Sequence, residues 1–183
     1  MPTGCFIGLD QGSSATKAVV VSLEGQVLFQ TRKDLPAPLR VDIRVEQDAE
    51  EILHSVSDAL NESVRSVQGI GMPVLGIGLS CQRSSCLAWS KETGAALTPV
   101  ISWRDIRGEE LIETLKDREP VVRRLSGLPL TPYYSASKLR WIRDNIAPAR
   151  QADAIFGTLN SFLVRHLTQK SEDVIDHTHA ART

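Results

Sequence analysis

The stretch that most constrains this chain is Cys5–Val21, in which two apolar runs flank a short polar loop. The first run ends in Asp10, Gly12 follows it, and Lys17 opens the second run. Runs of this length and composition predict two strands joined by a turn, with the carboxylate at the tip of the first strand. Glycine at position 12 lets the backbone turn tightly and approach a ligand closely. We therefore expect a sheet that presents polar groups at one end.

The residues of this loop favour a phosphate site. Ser13, Ser14 and Thr16 offer hydroxyls and N–H groups to phosphate oxygens, and Lys17 adds a positive charge. A carboxylate such as Asp10 is a ligand that magnesium prefers. The stretch contains neither the G-x-x-x-x-G-K-[ST] nor the G-x-G-x-x-G pattern. An ordinary β-hairpin with a glycine turn remains the alternative interpretation.

Composition sets limits on the partners of the chain. Its 183 residues are 42% hydrophobic and 23% charged, and the formal net charge is −1. This balance gives no general attraction to nucleic acid or to anionic membrane. No apolar run approaches the roughly 20 residues that span a bilayer, and no basic segment precedes the first apolar run. We expect no nucleic-acid partner, no membrane association and a cytoplasmic location.

The cysteines are an odd set without a C-x-x-C pair. Cys5, Cys81 and Cys86 lie in apolar or strand-like surroundings. Reduced and mostly buried thiols are the expectation for such a protein. A metal or redox pair formed by Cys81 and Cys86 is the alternative.

Periodicity along the chain predicts an α/β fold on a mixed sheet flanked by helices. The predicted strands cover residues 5–10, 17–23, 26–32, 74–80 (as a buried strand parallel to the first), 85–89, 99–102 and 154–156. Helices are predicted from the N-cap Asp48 to Gly69, from the N-cap Asp105 to about 117, over 119–125 ended by Gly127, over 136–145 after the N-cap Ser135, and over 158–167. Residues 34–45 are expected to form a loop or irregular strand, and residues 171–183 a tail without a helix.

Two further segments carry polar groups suited to a ligand. Gln82 and Arg83 follow the predicted strand over residues 74–80, at the carboxyl end where α/β sheets bind ligands. Farther on, Trp103 stands close to Asp105 and Arg107, and a ring beside charged groups is a common lining for a polyol site. The alternatives are a solvated surface turn and a core tryptophan followed by a helix cap. His177 and His179 near Asp176 raise a metal site as another alternative.

Five segments in this order resemble the N-terminal domain of the FGGY carbohydrate kinases, and the glycerol kinases among them most closely. They are D-Q-G-S-S-A-T-K (10–17), Q-R (82–83), W-R-D-I-R (103–107), G-L-P-L-T-P-Y-Y-S-A-S-K-L-R-W (127–141) and D-H-T-H-A-A-R-T (176–183). Each is weak alone, but together they span almost the whole chain. The resemblance implies an actin-like, ribonuclease H-like ATPase fold and a kinase that uses ATP and Mg²⁺ to phosphorylate a sugar or polyol.

The resemblance also implies roles for individual residues. Asp10 would bind magnesium near the transferred phosphate. The nucleotide phosphates would be held by Gly12, Ser13, Ser14, Ala15 and Lys17. The acceptor would be contacted by Gln82, Arg83, Ser84, Trp103, Asp105 and Tyr133.

Two positions depart from the glycerol kinase pattern. Ser84 stands where those kinases carry Glu, so one carboxylate that grips a substrate hydroxyl is missing. Arg104 replaces the usual Gln and adds positive charge. Together these changes favour a sugar or a polyol other than glycerol as the acceptor.

The resemblance further implies that this chain is only part of such a kinase. Residues 1–183 correspond to a single, partial N-terminal domain, and the C-terminal domain, the catalytic base and the adenosine pocket are expected beyond Thr183. We therefore assign no catalytic base and expect the isolated chain to be inactive, with self-association into a homo-oligomer left open. A non-catalytic ligand-binding or regulatory module on the same fold is the alternative.

Overall fold

A computed structural model of the protein describes residues 4–150, 153–169 and 174–183. In chain order, the strands are β1 (Cys5–Gln11), β2 (Ala15–Ser22), β3 (Val27–Asp34), β4 (Leu39–Val41), β5 (Arg44–Gln47), β6 (Val74–Cys81), β7 (Cys86–Ser90), β8 (Val100–Ile101) and β9 (Ala154–Thr158). The α-helices are α1 (Ala49–Gln68), α2 (Glu109–Thr114), α3 (Glu119–Ser126), α4 (Ser135–Asn145), α5 (Leu159–Thr168) and α6 (His177–Ala180). Among the described residues, no helix is long and apolar enough to span a membrane.

The chain divides into two compact units. The first comprises the residues up to Ala37 together with Glu50–Gln82, and the second comprises Pro38–Ala49 together with the residues from Arg83 onward. The first unit contains a four-stranded sheet of order β3-β2-β1-β6. Its β1–β2 and β2–β3 pairs are antiparallel, whereas β1 and β6 are parallel. The mixed sheet expected from the sequence is therefore present.

Helix α1 covers one face of this sheet. Its residues Ile52, Val56 and Ala59 have no exposed surface, and Ile7 on β1 and Val20 on β2 are equally buried. Polar bonds fix the same face, because Thr31 and Lys33 on β3 donate hydrogen bonds to Glu62 on α1 at 2.7 and 2.5 Å. Each large side chain buried in this way stabilises the fold by about 1.5–3 kcal/mol relative to an exposed position.

Strand β6 is parallel to β1, as predicted, but it is not the buried strand that its apolar run suggested. Its side chains Leu75 and Ile77 are 52% and 50% exposed. The reason is its place in the sheet, because β6 is an edge strand that pairs only with β1 among the described residues. An edge strand lacks a neighbour on one side, and its apolar groups stay partly open.

The second unit contains a five-stranded antiparallel sheet of order β4-β5-β8-β7-β9. Cys86 and Ala88 on β7, Ile101 on β8 and Ile142 on α4 form a buried apolar cluster. Helix α4 therefore packs against β7 and β8. This packing brings the first turns of α4 close to Ser84, which precedes β7, and to Ser102, which follows β8.

The structure corrects several predicted boundaries. Residues 34–45, expected to be a loop or irregular strand, include β4 and the start of β5, which pair as a hairpin around Asp42 at φ 51°. No helix begins at Asp105, because α2 starts at Glu109 and its cap residue is Gly108. Helix α4 includes Ser135, and Tyr134 is its N-cap.

The tail is also different from the prediction where it is described. Residues 177–180 form the short helix α6, which Asp176 caps by accepting hydrogen bonds from the N–H groups of Thr178 and His179. Residues 171–173 lie outside the described part of the chain. The strands over 5–10 and 26–32 and the helix from Asp48 are confirmed to within two residues.

Candidate functional site

Asp10 lies on the face of the first sheet that α1 does not cover. The alternation of β1 buries Ile7, Leu9 and Gln11 on the helix side and exposes Asp10 on the other. Across the β1–β2 pair, Asp10 stands opposite Lys17. Within the described residues the Asp10 carboxylate makes no hydrogen bond or ion pair. The structure thus presents an exposed carboxylate on the strand next to a lysine, and the role of Asp10 as a metal ligand stays a prediction.

A depression of about 550 Å³ opens at this position in the first unit. Asp10, Lys17, Gln30 and Arg32 are among the residues that line it. The register of the sheet explains this lining, because Arg32 on β3 stands opposite Lys17 on β2. The depression therefore combines one carboxylate with two cations, a charge pattern that suits an anion accompanied by a metal ion.

The turn between β1 and β2 holds the other predicted phosphate ligands. The N–H of Gly12 donates to the carbonyl of Ala15 at 2.9 Å, which closes the turn. A Cβ on residue 12 would lie 3.3 Å from that same carbonyl oxygen, so glycine is the residue that fits without displacement. Ser13 is partly exposed and Ser14 is exposed at the tip of the turn. Together with the Asp10 carboxylate, this turn supplies oxygen ligands and N–H groups of the kind that magnesium and phosphate require.

The Thr16 hydroxyl is not available to a phosphate group. The residue is fully buried, and its hydroxyl lies 2.7 Å from that of Ser55 on α1. The prediction that this side chain offers a hydroxyl to phosphate is therefore wrong. It faces α1 because residues 16, 18 and 20 share the buried face of β2.

Gln11 is a residue of this site that the sequence interpretation missed. It is fully buried, its Nε2 donates to the carbonyl of Gly12 at 2.6 Å, and its Oε1 accepts from Nε2 of Gln82 at 3.3 Å. The backbone N–H of Gln82 also donates to the carbonyl of Gln11 at 2.9 Å. Gln11 therefore ties the turn to the end of β6. The available signal was a polar residue in the buried register of an otherwise apolar strand.

In the second unit, one buried amine bonds to the backbone at or next to several of the remaining candidates. Lys138 on α4 has no exposed surface, and its Nζ donates to the carbonyls of Ser84, Ser102 and Tyr133 at 2.8, 3.1 and 2.9 Å. We call Lys138 and these three carbonyls the Lys138 cluster. It joins segments that lie far apart in the sequence, and each segment carries a predicted acceptor residue.

The side chains predicted to contact the acceptor in this unit are largely open. Trp103 and Tyr133 are 38% and 50% exposed, and Arg83 is exposed as well. Trp103 is fixed at its backbone, where its N–H donates to the hydroxyl of Ser85 at 3.0 Å. The guanidinium of Arg104 lies 5.0 Å from the centre of the Trp103 ring. The Trp103 ring and the Arg104 guanidinium are thus presented together.

Ser84 has an unusual backbone. Its φ is 62°, in the left-handed region that costs a residue with a Cβ roughly 1–2 kcal/mol, and only 5% of the residue is exposed. Its carbonyl is a member of the Lys138 cluster. The environment of the strand end therefore holds Ser84 in a conformation that the isolated sequence disfavours.

Asp105 is the predicted acceptor residue whose position differs from the expectation. Its carboxylate is fully buried and accepts hydrogen bonds from the N–H of Val45 at 2.6 Å and from the backbone N–H, Nε and a terminal nitrogen of Arg107 at 2.9, 2.9 and 2.7 Å. No surface is left for a ligand hydroxyl. The expected direct contact is therefore corrected to a supporting one, in which Asp105 orients Arg107.

The charge on Arg107 is stabilised by this arrangement. Burial disfavours the guanidinium cation, but hydrogen bonds to Asp105 and Glu46 more than offset it and raise the pKa of Arg107. The guanidinium also lies over the ring of Trp141, 4.6 Å from its centre. Arg107 is therefore a permanently charged structural element at the base of the segment that carries Trp103.

The histidines near the end of the chain do not form a metal site with other residues of the described part. There, no three His, Cys, Asp or Glu residues lie close enough together to hold a metal ion. Burial, and secondarily the positive charge of Arg83, lower the pKa of His179, although Asp176 opposes this shift. The three cysteines are buried and form no disulfide among the described residues. Burial raises the pKa of Cys86 to about 12, so this thiol stays protonated.

Comparison with known proteins assigns the chain to one family. The sequence model of the N-terminal domain of the FGGY family of carbohydrate kinases matches residues 5–183. The glycerol kinases of Acinetobacter baylyi and Agrobacterium fabrum are 34% and 31% identical to this chain over 97% and 98% of its length. The chain spans about 37% of the length of each of them.

Solved structures show the same fold. The structure of Plasmodium falciparum glycerol kinase with ADP superposes with a TM-score of 0.88 at 24% identity, covering 99% of this chain and 37% of that one. A ligand-bound xylulose kinase from Lactobacillus acidophilus gives a TM-score of 0.85 at 24% identity, covering 98% of this chain and 36% of its own. These neighbours have the actin-like ATPase fold, so the predicted fold class is confirmed. With the family match extending over all five motif segments, the chain belongs to the FGGY family of carbohydrate kinases, of which it carries the N-terminal domain.

Proposed function

We propose that the protein containing this chain is an ATP-dependent kinase that transfers the γ-phosphoryl group to a hydroxyl of a sugar or polyol. The observation that carries this proposal is the exposed Asp10 carboxylate, which lies opposite Lys17 at the glycine turn between β1 and β2. The family supports the reaction type, because its members in the comparison are glycerol, gluconate and xylulose kinases.

On this proposal, the first unit binds the phosphates of the nucleotide. Asp10 holds magnesium, and the turn from Gly12 to Ala15 offers N–H groups and hydroxyls to phosphate oxygens. Lys17 adds a positive charge. Magnesium at Asp10 would supply charge neutralisation, the main requirement of phosphoryl transfer besides positioning. The chain itself orients the phosphates and keeps the carboxylate free of protein partners.

On the same proposal, the acceptor is bound by the residues that the family resemblance assigns to it. Gln82 and Arg83 supply hydrogen-bond donors to hydroxyls, Tyr133 supplies a phenol, and Trp103 supplies an apolar ring for C–H faces. Ser84 leaves out the carboxylate that glycerol kinases place there. We therefore propose an acceptor other than glycerol, such as a longer polyol or a sugar.

The catalytic base and the adenosine pocket are proposed to lie in a C-terminal domain that corresponds to the rest of the relatives. The isolated chain is then inactive. A cytoplasmic location stays a prediction, which agrees with a requirement for ATP.

Acceptor-dependent ADP release tests the proposal. The 183-residue chain and the full-length protein that contains it are each assayed with ATP, Mg²⁺ and a panel of glycerol, longer polyols and sugars. We expect release only by the full-length protein, with a higher kcat/KM for a longer acceptor than for glycerol. Turnover by the 183-residue chain alone contradicts the assignment of the base to the C-terminal domain.

The other outcomes are equally informative. A preference for glycerol contradicts the inference from Ser84. Tight binding of a polyol or nucleotide without ADP release by the full-length protein supports the alternative, a ligand-binding or regulatory module.

A further inference from the structure

Lys138 is buried in the second unit without a carboxylate on its amine. It has no exposed surface, and the three acceptors of its Nζ are backbone carbonyls. An ammonium has three N–H donors, and three carbonyls satisfy all of them. Burial of a charged group is costly unless it is fully hydrogen-bonded, so each of these bonds is required for the lysine to stay where it is.

The three carbonyls belong to three segments, one before β7, one after β8 and one before α4. Ser84, Ser102 and Tyr133 are separated from Lys138 by 54, 36 and 5 residues. Ser84 follows Arg83, and Ser102 precedes Trp103. Each bond thus fixes the backbone at, or next to, a residue that the proposed function assigns to the acceptor.

The bond to Ser84 has a further consequence, because Ser84 has a φ of 62°. A residue other than glycine stays in this region only when its surroundings compensate for the strain. The Lys138 ammonium, 2.8 Å from the Ser84 carbonyl, is a compensating contact. The side-chain direction of Arg83 depends on this backbone, since a turn of one residue redirects its neighbours.

The surroundings of Lys138 make its protonation sensitive to pH. Burial lowers the pKa of Lys138 to about 8, while Cys86 and Asp105 oppose the shift and Arg107 adds to it. These are the titratable groups that face it from β7 and from the segment after β8. Below pH 8 the ammonium serves all three carbonyls, whereas the neutral amine has one N–H donor fewer.

We propose that Lys138 is a positioning residue of the acceptor site, which aligns the Arg83–Ser84, Trp103 and Tyr133 segments by holding one carbonyl of each. The inference rests on the proposed function where it calls this region an acceptor site. The alignment of the three segments by Lys138 does not depend on that function. A lysine that only stabilises the fold would affect stability and leave the affinities of a folded variant unchanged. The test must therefore separate acceptor affinity from stability.

The test compares Lys138→Met with Lys91→Met in the full-length protein. Methionine keeps most of the apolar stem of Lys138 and removes all three donors, and Lys91 is an exposed lysine of the same unit. Three readouts are taken: the unfolding midpoint, the KM values for acceptor and ATP, and the backbone chemical shifts of Ser84. We expect Lys138→Met to raise the acceptor KM at least about tenfold with the ATP KM nearly unchanged, and to shift Ser84 out of the left-handed region.

Lys91→Met is expected to leave all three readouts unchanged. A folded Lys138→Met variant with wild-type acceptor KM, or with Ser84 still left-handed, overturns the inference. If Lys138→Met does not fold, the wild-type protein decides over the pH range in which the NMR signals of the Lys138 side chain show that its ammonium loses a proton. The acceptor KM must rise over that range while the ATP KM stays flat, and a flat acceptor KM across it overturns the inference.

Failure of the proposed function is a different result. In that case no acceptor supports ADP release by the wild-type protein, and the Ser84 shifts alone decide whether Lys138 aligns these segments. Shifts that move in Lys138→Met but not in Lys91→Met retain the positioning role, and shifts that stay in place remove it.

Discussion

The two units present their candidate residues by opposite means. In the first unit, Asp10 is exposed, its carboxylate makes no hydrogen bond or ion pair in the described part of the chain, and a glycine turn carries the groups beside it. In the second unit, the exposed Trp103 and Tyr133 depend on buried charges, since Lys138 holds the carbonyls of Ser102 and Tyr133. The first unit exposes the charge of Asp10 to solvent. The second unit buries the charge of Lys138 and exposes the rings of Trp103 and Tyr133.

This difference teaches which substitutions separate function from stability. A free carboxylate contributes little to the fold, so its removal affects ligand binding alone. A buried ion or ammonium that satisfies several partners contributes to both, because its loss leaves those partners unpaired. Substitution of Asp10 should therefore act on activity, and substitutions at the buried charges of the second unit should act on stability as well.

The largest effect is expected from Asp10→Asn. Loss of the negative charge removes the proposed magnesium ligand, and kcat for ADP release should fall by at least about a hundredfold. The free energy of unfolding should not change, because the Asp10 carboxylate makes no hydrogen bond or ion pair with the described residues. Steady-state assays and urea unfolding measure the two quantities.

Asp58→Asn is the matched control for this substitution. Asp58 is an exposed carboxylate on α1 of the same unit. Equal activities of the two variants would contradict the proposed role of Asp10 as a magnesium ligand. A large loss of stability in Asp10→Asn alone would contradict the claim that its carboxylate contributes little to the fold.

The next effect, on stability, is expected from Asp105→Asn. The substitution leaves the buried guanidinium of Arg107 without one of its two carboxylate partners and should lower the free energy of unfolding by about 3–5 kcal/mol. Asp144→Asn is the control, because Asp144 pairs with Arg140 at the exposed surface of α4. Denaturant unfolding should show a much smaller loss for the control, and equal losses would refute the distinction between buried and exposed pairs.

A pH dependence of stability follows from Lys138. Burial lowers its pKa to about 8 in the folded protein, against roughly 10.4 in an unfolded chain. Between these values the unfolded state binds more protons, so the stability of the wild type relative to Lys138→Met must rise as the pH increases from 8 to about 10. Unfolding curves of both proteins at several pH values measure this difference, and a constant difference would show that Lys138 does not titrate in this range.

The smallest effect is expected from Thr16→Val. This change removes the bond to Ser55, whose hydroxyl keeps its bond to the carbonyl of Ile52, and should cost about 1 kcal/mol of stability with ADP release unchanged. Ser14→Ala should do the reverse and raise the KM for ATP without destabilising the protein. A loss of activity in Thr16→Val would restore Thr16 as a phosphate ligand.

The parts of the fold that local patterns specify were predictable. Alternation and helical spacing located β1, β3 and α1, and the crossover helix predicted a parallel β6. The hairpin of β4 and β5 was not predicted, because Pro36 and Pro38 directly precede it and several charged residues interrupt the short alternation over residues 39–47.

The candidate site divides in the same way. Asp10 and its turn were predictable because their residues are contiguous. Asp105 was interpreted as a helix cap, the local role of such a residue, but its carboxylate accepts from Val45, 60 positions away. Lys138 was missed because its partners are carbonyls, which leave no mark in the sequence.

The most direct test of the proposed magnesium site is to locate the bound metal ion by NMR. Mn²⁺, a paramagnetic substitute for Mg²⁺, is added with ADP to the isotopically labelled full-length protein, and the broadening of amide signals is mapped. We predict that broadening centres on the turn from Gly12 to Ala15 and disappears in Asp10→Asn but not in Asp58→Asn. Broadening that survives Asp10→Asn, or that centres on the histidines of α6, would contradict the assignment of the magnesium and phosphate site to Asp10 and its turn.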